Sequence, residues 1–346
     1  MSKTLQDYAT LINDTIQSNE INHYITTDNM CQNLGGIDTF KNINIPQGKV
    51  RSFQKDDVLL SNIRLYFRKV YRAKQKGGCS SDVLVFRAKH IDSATLFAIL
   101  SSQIFTDYAC SGSQGSKMPR GNKTHMMDFK IPTINFTIAK IFNSIQNKIE
   151  NNHKINELLH MLAYKIYEYY FKYKPKNAKL EQIIIENPKS SIMVKNAQKT
   201  QDKYPFFTSG DNILFYPKAI IDGRNCFLNT GGNAGIKFYV GKASYSTDTW
   251  CICANGFSDY LYLLLSSIKT HINQSFFQGT SLKHLQKNLL KKYPIYMPSA
   301  HEIKKFNQII MPLLTIISIN TRTSKKLEQI RDFLLPLLLK QQVKPQ

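Results

Sequence analysis

The sequence predicts an α+β protein in which two α/β domains are separated by two long antiparallel coiled-coil helices, as a pseudo-twofold tandem repeat. Three observations predict it. A long amphipathic segment occurs twice, each copy follows short apolar runs with glycine turns, and the 346-residue chain carries a net charge of +22. Apolar residues stand at 138, 141, 145, 159, 162 and 166, and again 168 positions later. Their alternating steps of three and four residues form a coiled-coil seam.

Residues 1–132 are predicted to form the first domain. Two β-like apolar runs, 58–60 and 83–86, precede one helical pattern at 91–105. Pro132 closes the segment. Short apolar runs bounded by turn residues are typical of buried strands, so a sheet with one helix is expected here.

Residues 133–176 are predicted to form the first spacer helix. The apolar period continues from 133 to 173, and Lys174 and Pro175 end it, because proline cannot continue a helix. A helix of about 40 residues is roughly 60 Å long. One small domain cannot bury such a stripe, so we expect the two spacer helices to pair antiparallel.

Residues 177–298 are predicted to form the second domain and 299–346 the second spacer helix. Three β-like runs and one helical pattern follow in the same order: 212–216, 236–240, 250–254 and 260–272. The second spacer helix, from 301 to 340, contains Pro312 and Pro336, which predict a kink or an irregular turn.

Single residues repeat with nearly the same offset. Asp82 and Asp248 stand 166 positions apart and Gly115 and Gly279 stand 164 apart. An offset that changes this little supports a true repeat. The two aspartates follow β-like turns, and we expect them to cap backbone amides.

Asn152 and Asn320 occupy equivalent positions near the middle of the two predicted helices. Two interpretations stay open. The asparagines form one buried polar pair, which sets helix register and direction at some cost in stability, or they are solvated breaks in the apolar stripe.

The charge favours a polyanionic partner, since 46 basic residues stand against 24 acidic ones. Such a partner is nucleic acid, an acidic protein or an anionic membrane surface. A lysine-rich composition without function is the alternative. The chain shows no secretory signal and no apolar run of about 18 residues, so the cytoplasm is the expected location. The six cysteines form no CxxC pair, which argues against disulfides and a zinc ribbon.

The glycine-containing loop 112–123 is the main predicted DNA-binding segment of the first domain. Arginine and lysine donate to guanine O6 and N7, and glutamine and asparagine pair with adenine. The predicted contact residues are Gln114, Ser116, Lys117, Arg120, Asn122 and Lys123. A solvated polar loop is the alternative interpretation.

The segment 278–284 is the counterpart in the second domain. Its predicted DNA-binding residues are Gln278, Thr280, Ser281, Lys283 and His284. A separate basic run is predicted to contact phosphates, which position a protein without specifying sequence. That run consists of Arg64, Arg68, Lys69 and Arg72, with a merely solvated face as the alternative.

Two surfaces of the spacer helices are predicted to hold the helices together or to bind a partner. The coiled-coil or partner residues are Asn152, Leu159, Leu162, Ile166, Asn320, Leu327, Ile330 and Leu334. Six aromatic residues crowd positions 164–173. Tyrosine is favoured at interfaces, so this cluster docks a partner or packs on the second domain.

We expect no catalytic residue, no metal and no cofactor in this chain. The Asn/Asp-Pro-Pro-Tyr loop of adenine methylation is absent, and so is a PD-then-ExK nuclease pattern. The segment 235–243 has five residues between its glycines and ends in alanine, so it is a strand and not a phosphate loop. The histidines show no metal-ligand spacing.

Several segments resemble the specificity (S) subunits of Type I restriction–modification enzymes. The segment 327–339, LEQIRDFLLPLLL, resembles their closing helix. YITTDNM at 24–30 with Gly35-Gly36, and KYPFFTS at 203–209, resemble openings of their target-recognition domains. The glycine loops ahead of Pro132 and Pro298 also fit, so the resemblance covers nearly the whole chain.

The resemblance implies two target-recognition domains, each of which reads one half of an asymmetric bipartite double-stranded DNA site. It implies that the helices dock two methyltransferase (M) subunits, which carry S-adenosylmethionine and methylate adenine, and that restriction (R) motor-nuclease subunits join for cleavage. The chain would then be a non-catalytic recognition subunit in host defence. A specificity subunit of a Type IIB-like system, a free-standing nucleic-acid enzyme of unrecognised motif, and a scaffold with incidental charge stay open.

Overall fold

The computed structural model describes residues 3–38, 41, 43–131, 133–197, 203–210 and 213–339. Its internal contacts divide the chain into unit 1, which is Met1–Glu150 with Leu327–Gln346, and unit 2, which is Asn151–Lys326. The protein mixes helix and sheet and has two long helices, as the sequence predicts. Pro132, the predicted end of the first domain, lies outside the described residues.

Unit 1 contains eight described strands and four short helices, followed by the start of a long one. The strands are β1 (Ala9–Ile12), β2 (Thr15–Gln17), β3 (Tyr24–Ile25), β4 (Lys49–Phe53), β5 (Val58–Ser61), β6 (Val70–Arg72), β7 (Gly77–Cys79) and β8 (Val83–Ala88). The helices are α1 (Leu5–Tyr8), α2 (Ser93–Leu100), α3 (Gln103–Ser111), α4 (Lys123–Met127) and the long α5 (Phe136–Tyr167). Both predicted apolar runs are therefore strands.

The main sheet of unit 1, which contains β8, is buried on both faces. Helices pack on one face and a second sheet packs on the other. One sheet has the order β1-β8-β5-β6, all antiparallel, and the other has the order β2-β4-β7-β3. On β8, Leu84 and Phe86 pack with the helices, while Val83 and Val85 pack with the second sheet. A strand buried on both faces needs a continuous apolar run, because successive side chains alternate between faces.

Unit 2 adds eleven described strands and completes the helices. The strands are β9 (Ala178–Lys179), β10 (Ile185–Glu186), β11 (Tyr204–Phe207), β12 (Leu214–Tyr216), β13 (Arg224–Asn229), β14 (Ile236–Val240), β15 (Ser244–Tyr245), β16 (Thr249–Cys253), β17 (Phe277–Gln278), β18 (His284–Leu285) and β19 (Pro294–Ile295). The helices are α6 (Ser258–Ser267), α7 (Lys269–Ser275), α8 (Lys287–Lys291) and the long α9 (Ala300–Leu338), whose last part, from Leu327, belongs to unit 1. The predicted runs at 236–240 and 250–254 are β14 and β16, and 212–216 contains β12, with Asn212 outside the described residues.

The main sheet of unit 2 repeats the topology of the main sheet of unit 1. Its order is β10-β16-β13-β14, again all antiparallel. β13 and β16 begin 166 positions after β5 and β8. Leu228 and Trp250 face the helices, whereas Phe227 and Cys251 face the smaller sheet β12-β11-β15. The two units are therefore copies of one plan, as the sequence offset predicts.

The two long helices pair antiparallel within each unit. In unit 2, the amide of Asn152 donates to the Ser324 hydroxyl at 3.1 Å, and the amide of Asn320 donates to the Asn156 carbonyl oxygen at 3.0 Å. Adding 168 to Asn152 and Asn156 gives Asn320 and Ser324, so the two bonds are copies of each other. Each asparagine bonds to the opposite helix, but the two do not bond to one another.

In unit 1 the helix pair is joined by a buried polar contact. Arg331 is only 2% exposed and donates to the side-chain oxygen of Gln146 at 2.9 Å. The amide of Gln146 donates to the carbonyl oxygen of Leu34 at 2.7 Å. The positions that correspond in unit 2 are Ala163 and Leu314, both fully buried. The helix pairing is thus shared, while its buried chemistry differs between the units.

Three helix predictions need correction. The predicted helix 91–105 is two helices, because the Ser102 side chain accepts a hydrogen bond from the Phe105 N–H and starts α3. The predicted helix 260–272 is likewise divided, at Ile268. Of the kink or irregular turn expected at Pro312 and Pro336, the irregular turn is absent, since α9 is continuous through both.

Candidate nucleic-acid interface

The predicted loop of unit 1 closes on itself between Gln114 and Arg120. The N–H of each residue donates to the carbonyl oxygen of the other, at 2.9 and 2.8 Å. Gly115 has a φ of 98°, in the left-handed region that favours glycine. Ser116 and Lys117 are exposed at the tip. The sequence around Gly115 therefore forms a short hairpin that presents polar side chains.

The base of this hairpin docks on the chain that follows β5. The Gly121 N–H donates to the Asn62 carbonyl oxygen at 3.2 Å, and the Asn62 N–H donates to the Asp82 carbonyl oxygen at 2.8 Å. The Arg64 N–H donates to the carbonyl oxygen of Pro119 at 2.9 Å. Three segments far apart in sequence thus meet at one place through backbone groups.

The predicted loop of unit 2 is built in the same way. Gln278 and His284 are antiparallel partners at the ends of β17 and β18. The Leu285 N–H donates to the Thr230 carbonyl oxygen at 3.0 Å, and the Thr230 N–H donates to the Asp248 carbonyl oxygen at 3.3 Å. These bonds correspond one by one to those of unit 1. We call the set of backbone bonds in each unit the loop frame.

The loop frame sets which residues are equivalent in the two units. Arg120 forms an isolated antiparallel β-bridge with Ile63, and His284 forms one with Gly231. Gly231 stands 168 positions after Ile63. Arg120 and His284 therefore occupy the same place, and so do Gln114 and Gln278.

Gly279 is required at the turn of the unit 2 loop. Its φ is 141°, and a Cβ there would lie 2.5 Å from the carbonyl oxygen of Leu282. The predicted residues Thr280, Ser281 and Lys283 are exposed around it. The Lys283 carbonyl oxygen accepts a hydrogen bond from the Gly232 N–H at 2.9 Å, so the loop tip is also held.

The aspartates at the equivalent positions differ in their partners. The guanidinium of Arg120 lies 2.9 Å from the carboxylate of Asp82. Asp248 forms no ion pair within the part of the chain that the structure describes; the Thr247 hydroxyl lies 3.5 Å from it. The expected caps are not what these carboxylates form: the backbone carbonyl of each aspartate belongs to the loop frame, and the Asp82 side chain binds an arginine.

Two further predicted residues stand at the start of α4. The side-chain oxygen of Asn122 accepts a hydrogen bond from the His125 N–H at 3.1 Å and caps this helix. That oxygen is therefore already used, whereas pairing with adenine needs both the oxygen and the nitrogen of the amide. Lys123 is exposed at the first helical position.

The structure does not bring the whole basic run to the loop. Arg64 lies beside it and donates to the Lys117 carbonyl oxygen at 3.3 Å. Arg68 donates instead to the carbonyl oxygen of Ser101, at the C-terminal end of α2, at 2.9 Å, and burial lowers its pKa. Arg72 donates to the Ser93 hydroxyl, at the other end of α2, at 3.4 Å. Arg68 and Arg72 thus hold α2 against the sheet.

Lys41 adds a positive charge close enough to act on Lys69, as Arg64 does, and the sequence did not predict it. Lys69 and Lys41 donate to the carbonyl oxygens of Thr27 and Asp28, at 2.5 and 3.0 Å. Burial lowers the pKa of Lys69, and the charges of Lys41 and Arg64 act in the same direction. Lys41 and Lys69 stand 28 positions apart, so no local sequence pattern connects them.

The predicted coiled-coil residues divide into buried and exposed sets. Leu159 and Ile166 pack against the core of unit 2, and Leu327 and Leu334 are half-buried. Leu162 and Ile330 are each 49% exposed, at positions 168 apart. Another equivalent pair is also open: Ile141 at 44% and Ile309 at 42%. The seam therefore includes apolar positions that the helix pair leaves uncovered.

The aromatic cluster at the end of α5 is also divided. Tyr167 and Phe171 are buried in the core of unit 2, where Phe171 contacts Phe306 with ring centroids 4.9 Å apart. Tyr169 and Tyr173 are 86% and 83% exposed. The chain turns into one π-helical segment, Glu168–Lys172, at this point. Packing on unit 2 is thus confirmed for Tyr167 and Phe171, and the docking of a partner by Tyr169 and Tyr173 stays a prediction.

The described residues contain neither a membrane-spanning helix nor a cluster of metal ligands. No helix there is long and apolar enough to cross a membrane. The same residues contain no group of three or more histidine, cysteine, aspartate or glutamate side chains placed to hold a metal ion.

Comparison with known proteins gives one family and one fold. Residues 176–329 match the family model described as the Type I restriction modification DNA specificity domain. The S subunit of a Type I restriction–modification system from M. genitalium has a similar structure, with a TM-score of 0.66 at 14% identity, covering 99% of this chain and 96% of that one. No curated protein matches the chain by sequence.

Two further solved structures match along the chain with lower similarity. The HsdS subunit from Thermoanaerobacter tengcongensis has a TM-score of 0.37 at 12% identity, covering 98% of this chain and 96% of that one. A structure described for the complex assembly and conformational transition of the type I R-M system has a TM-score of 0.37 at 12% identity, covering 98% and 97%.

Proposed function

We propose that this chain, whose residues 176–329 belong to the family of Type I restriction modification DNA specificity domains, is the DNA sequence-specificity subunit of a Type I restriction–modification enzyme. The family consists of recognition domains, so the chain contributes the choice of sequence and not the catalysis. The observation that carries the proposal is the loop frame, which occurs once in each unit with different side chains on it.

Each unit reads one half of a bipartite DNA site in this proposal. The exposed residues on the two frames are of the types that contact base edges and phosphates. Unit 1 offers Gln114, Ser116, Lys117 and Arg120, whereas unit 2 offers Gln278, Thr280, Ser281, Lys283 and His284. Since these sets differ, the two halves of the site differ and the whole site is asymmetric.

Two M subunits bind the uncovered apolar positions of the helix pair in this proposal. Exposed leucine and isoleucine residues recur 168 positions apart, at 141 and 309 and at 162 and 330. Uncovered apolar side chains that recur in this way fit two copies of one partner. The M subunits would supply S-adenosylmethionine and adenine methylation, and R subunits would join for DNA translocation and cleavage.

The test is the map of methylated adenines in the host genome with and without this gene. Loss of one asymmetric split motif on deletion, and its return on complementation, is the expected result. A genome whose methylated adenines are unchanged by deletion overturns the proposal, in a host that expresses both this gene and M subunits. Cleavage on both sides of the same motif by the complex would assign a Type IIB-like system.

A second measurement separates recognition from catalysis. The purified chain is incubated with DNA and S-adenosylmethionine, without partner subunits. We expect no methylation and no cleavage, and binding that weakens steeply with salt because phosphate contacts release counterions. Modification of DNA by the chain alone would favour a free-standing enzyme, and binding insensitive to salt would favour a scaffold.

A further inference from the structure

We infer that Arg120 reads a guanine in one half-site, that Asp82 positions its guanidinium, and that His284 stands at the same reading position for the other half-site. The inference rests on the proposed function. It goes further by naming one base-reading position in each unit and the chemistry that distinguishes the two.

The loop frame places the backbones of Arg120 and His284 equivalently. Each residue pairs across its hairpin with a glutamine, Gln114 or Gln278. The next residue in each chain segment donates its N–H in the same way. Gly121 donates to the carbonyl oxygen of Asn62 at 3.2 Å in unit 1, and Leu285 donates to that of Thr230 at 3.0 Å in unit 2. Both side chains therefore leave the same backbone position, and the difference between them is chemical.

The contact between Arg120 and Asp82 orients a guanidinium that still has donors to offer. One terminal nitrogen lies 2.9 Å from the carboxylate, and the Arg120 side chain is 60% exposed. A guanidinium carries five N–H donors in one plane. A carboxylate that holds one edge of the plane leaves two parallel donors on another edge. Guanine presents O6 and N7 as two acceptors in the major groove, which match these donors.

Unit 2 has no such pair at the same place. Its imidazole, on His284, offers one ring nitrogen at a time to a base edge. Among the described residues Asp248 forms no ion pair, so nothing orients a reader there as Asp82 does in unit 1. The two halves of the site therefore differ at the base that faces this position.

The experiment uses the full chain, expressed with its host methyltransferase subunits in a strain that lacks the gene, and maps N6-methyladenine. We expect the wild-type motif to contain a guanine in the half that depends on unit 1. Arg120→Gln and Asp82→Asn each reduce the preference for that guanine by about tenfold or more, while the other half of the motif is unchanged. The unchanged half shows that the chain has folded.

His284→Arg supplies the converse result. It places an arginine on the unit 2 frame, where Asp248 stands at the position equivalent to Asp82, and we expect the second half of the motif to gain a guanine at one position. A matched control is Arg87→Lys, because Arg87 pairs with Asp57 at 2.8 Å in unit 1 outside the frame. This control changes the amount of methylation at most, and not the motif.

The possible failures are distinguishable. Absence of any gene-dependent motif overturns the proposed function. A motif that depends on the gene but keeps its guanine in Arg120→Gln overturns the inference. A motif that changes in Arg120→Gln but not in Asp82→Asn overturns the positioning role of Asp82.

Discussion

Arg224 joins three elements of unit 2 and offers a direct test of what holds the unit 2 frame in place. Its Nε donates to the carboxylate of Asp259 at 2.6 Å, and a terminal nitrogen binds the other carboxylate oxygen. The remaining donors reach the hydroxyl of Thr315 at 3.0 Å and the carbonyl oxygen of Met311 at 3.1 Å on α9. The Asp259 side chain is 2% exposed. Arg224 begins β13, the strand that leads to Thr230 in the frame.

Replacing Arg224 with methionine keeps most of the side-chain volume and removes the charge. Asp259 is then left buried without its partner, and loss of one member of a buried pair costs about 3–5 kcal/mol. The double variant Arg224→Met with Asp259→Leu removes both charges. We expect it to regain most of that free energy of unfolding, because no buried charge is left unpaired.

The assay is urea unfolding followed by tryptophan fluorescence. The chain has one tryptophan, Trp250, and it pairs with Leu228 of β13 in the same sheet. The control is Lys179→Met, whose partner Glu181 lies 4.0 Å away with both side chains well exposed; we expect a loss within about 0.5 kcal/mol. A loss below about 1 kcal/mol in Arg224→Met, or a double variant no more stable than the single one, would refute the reasoning.

Three further predictions concern other parts of the chain. Gly279→Ala should cost about 1–3 kcal/mol in thermal unfolding, because its Cβ would lie 2.5 Å from the Leu282 carbonyl oxygen at a φ that disfavours alanine; an unchanged melting temperature would contradict this. Burial lowers the pKa of His160 from 6.5, so the free energy of unfolding is full above pH 6.5 and falls as the pH drops below it. In urea titrations between about pH 7.5 and 5.5, His160→Gln should make the free energy of unfolding depend less on pH. An equal pH dependence in the variant and the wild type would count against this. Ser299→Ala should cost about 1 kcal/mol in the same titrations, because Ser299 and Glu302 exchange cap bonds at the start of α9, and a neutral effect would show that the cap is dispensable.

The repeat could be predicted because it follows from periodicity and position. The apolar steps between 138 and 166 recur 168 residues later, and strands β14 and β16 lie where the apolar runs predict them. Gly115 and Gly279 already mark both hairpins in the sequence, since each adopts a φ that favours glycine. The family resemblance is confirmed for residues 176–329 by the family model, and the predicted fold is confirmed along the chain by its similarity to an S-subunit structure.

Contacts between distant residues could not be predicted. Arg68 and Arg72 have the composition of a phosphate-binding run, yet they bind Ser101 and Ser93 at the ends of α2. A local pattern cannot show which partner a long basic side chain meets in three dimensions. The irregular turn that was one of the two expectations at the prolines of α9 is wrong for a related reason: packing of the helix in its unit outweighs the loss of one hydrogen bond at each proline. The kink that was the other expectation stays a prediction.

The loop frame consists of main-chain groups, which every residue except proline carries in full. Side chains at the hairpin tips, other than at Gly115 and Gly279, therefore change without loss of the scaffold beneath them. In the proposed function, such a chain acquires new sequence preferences by point mutation, one contacted base at a time, while its hydrophobic interior stays as it is. In that proposal, sequence preference evolves at these positions because the main-chain frame places the reading residue whatever its side chain, while a side chain such as Asp82 refines the orientation.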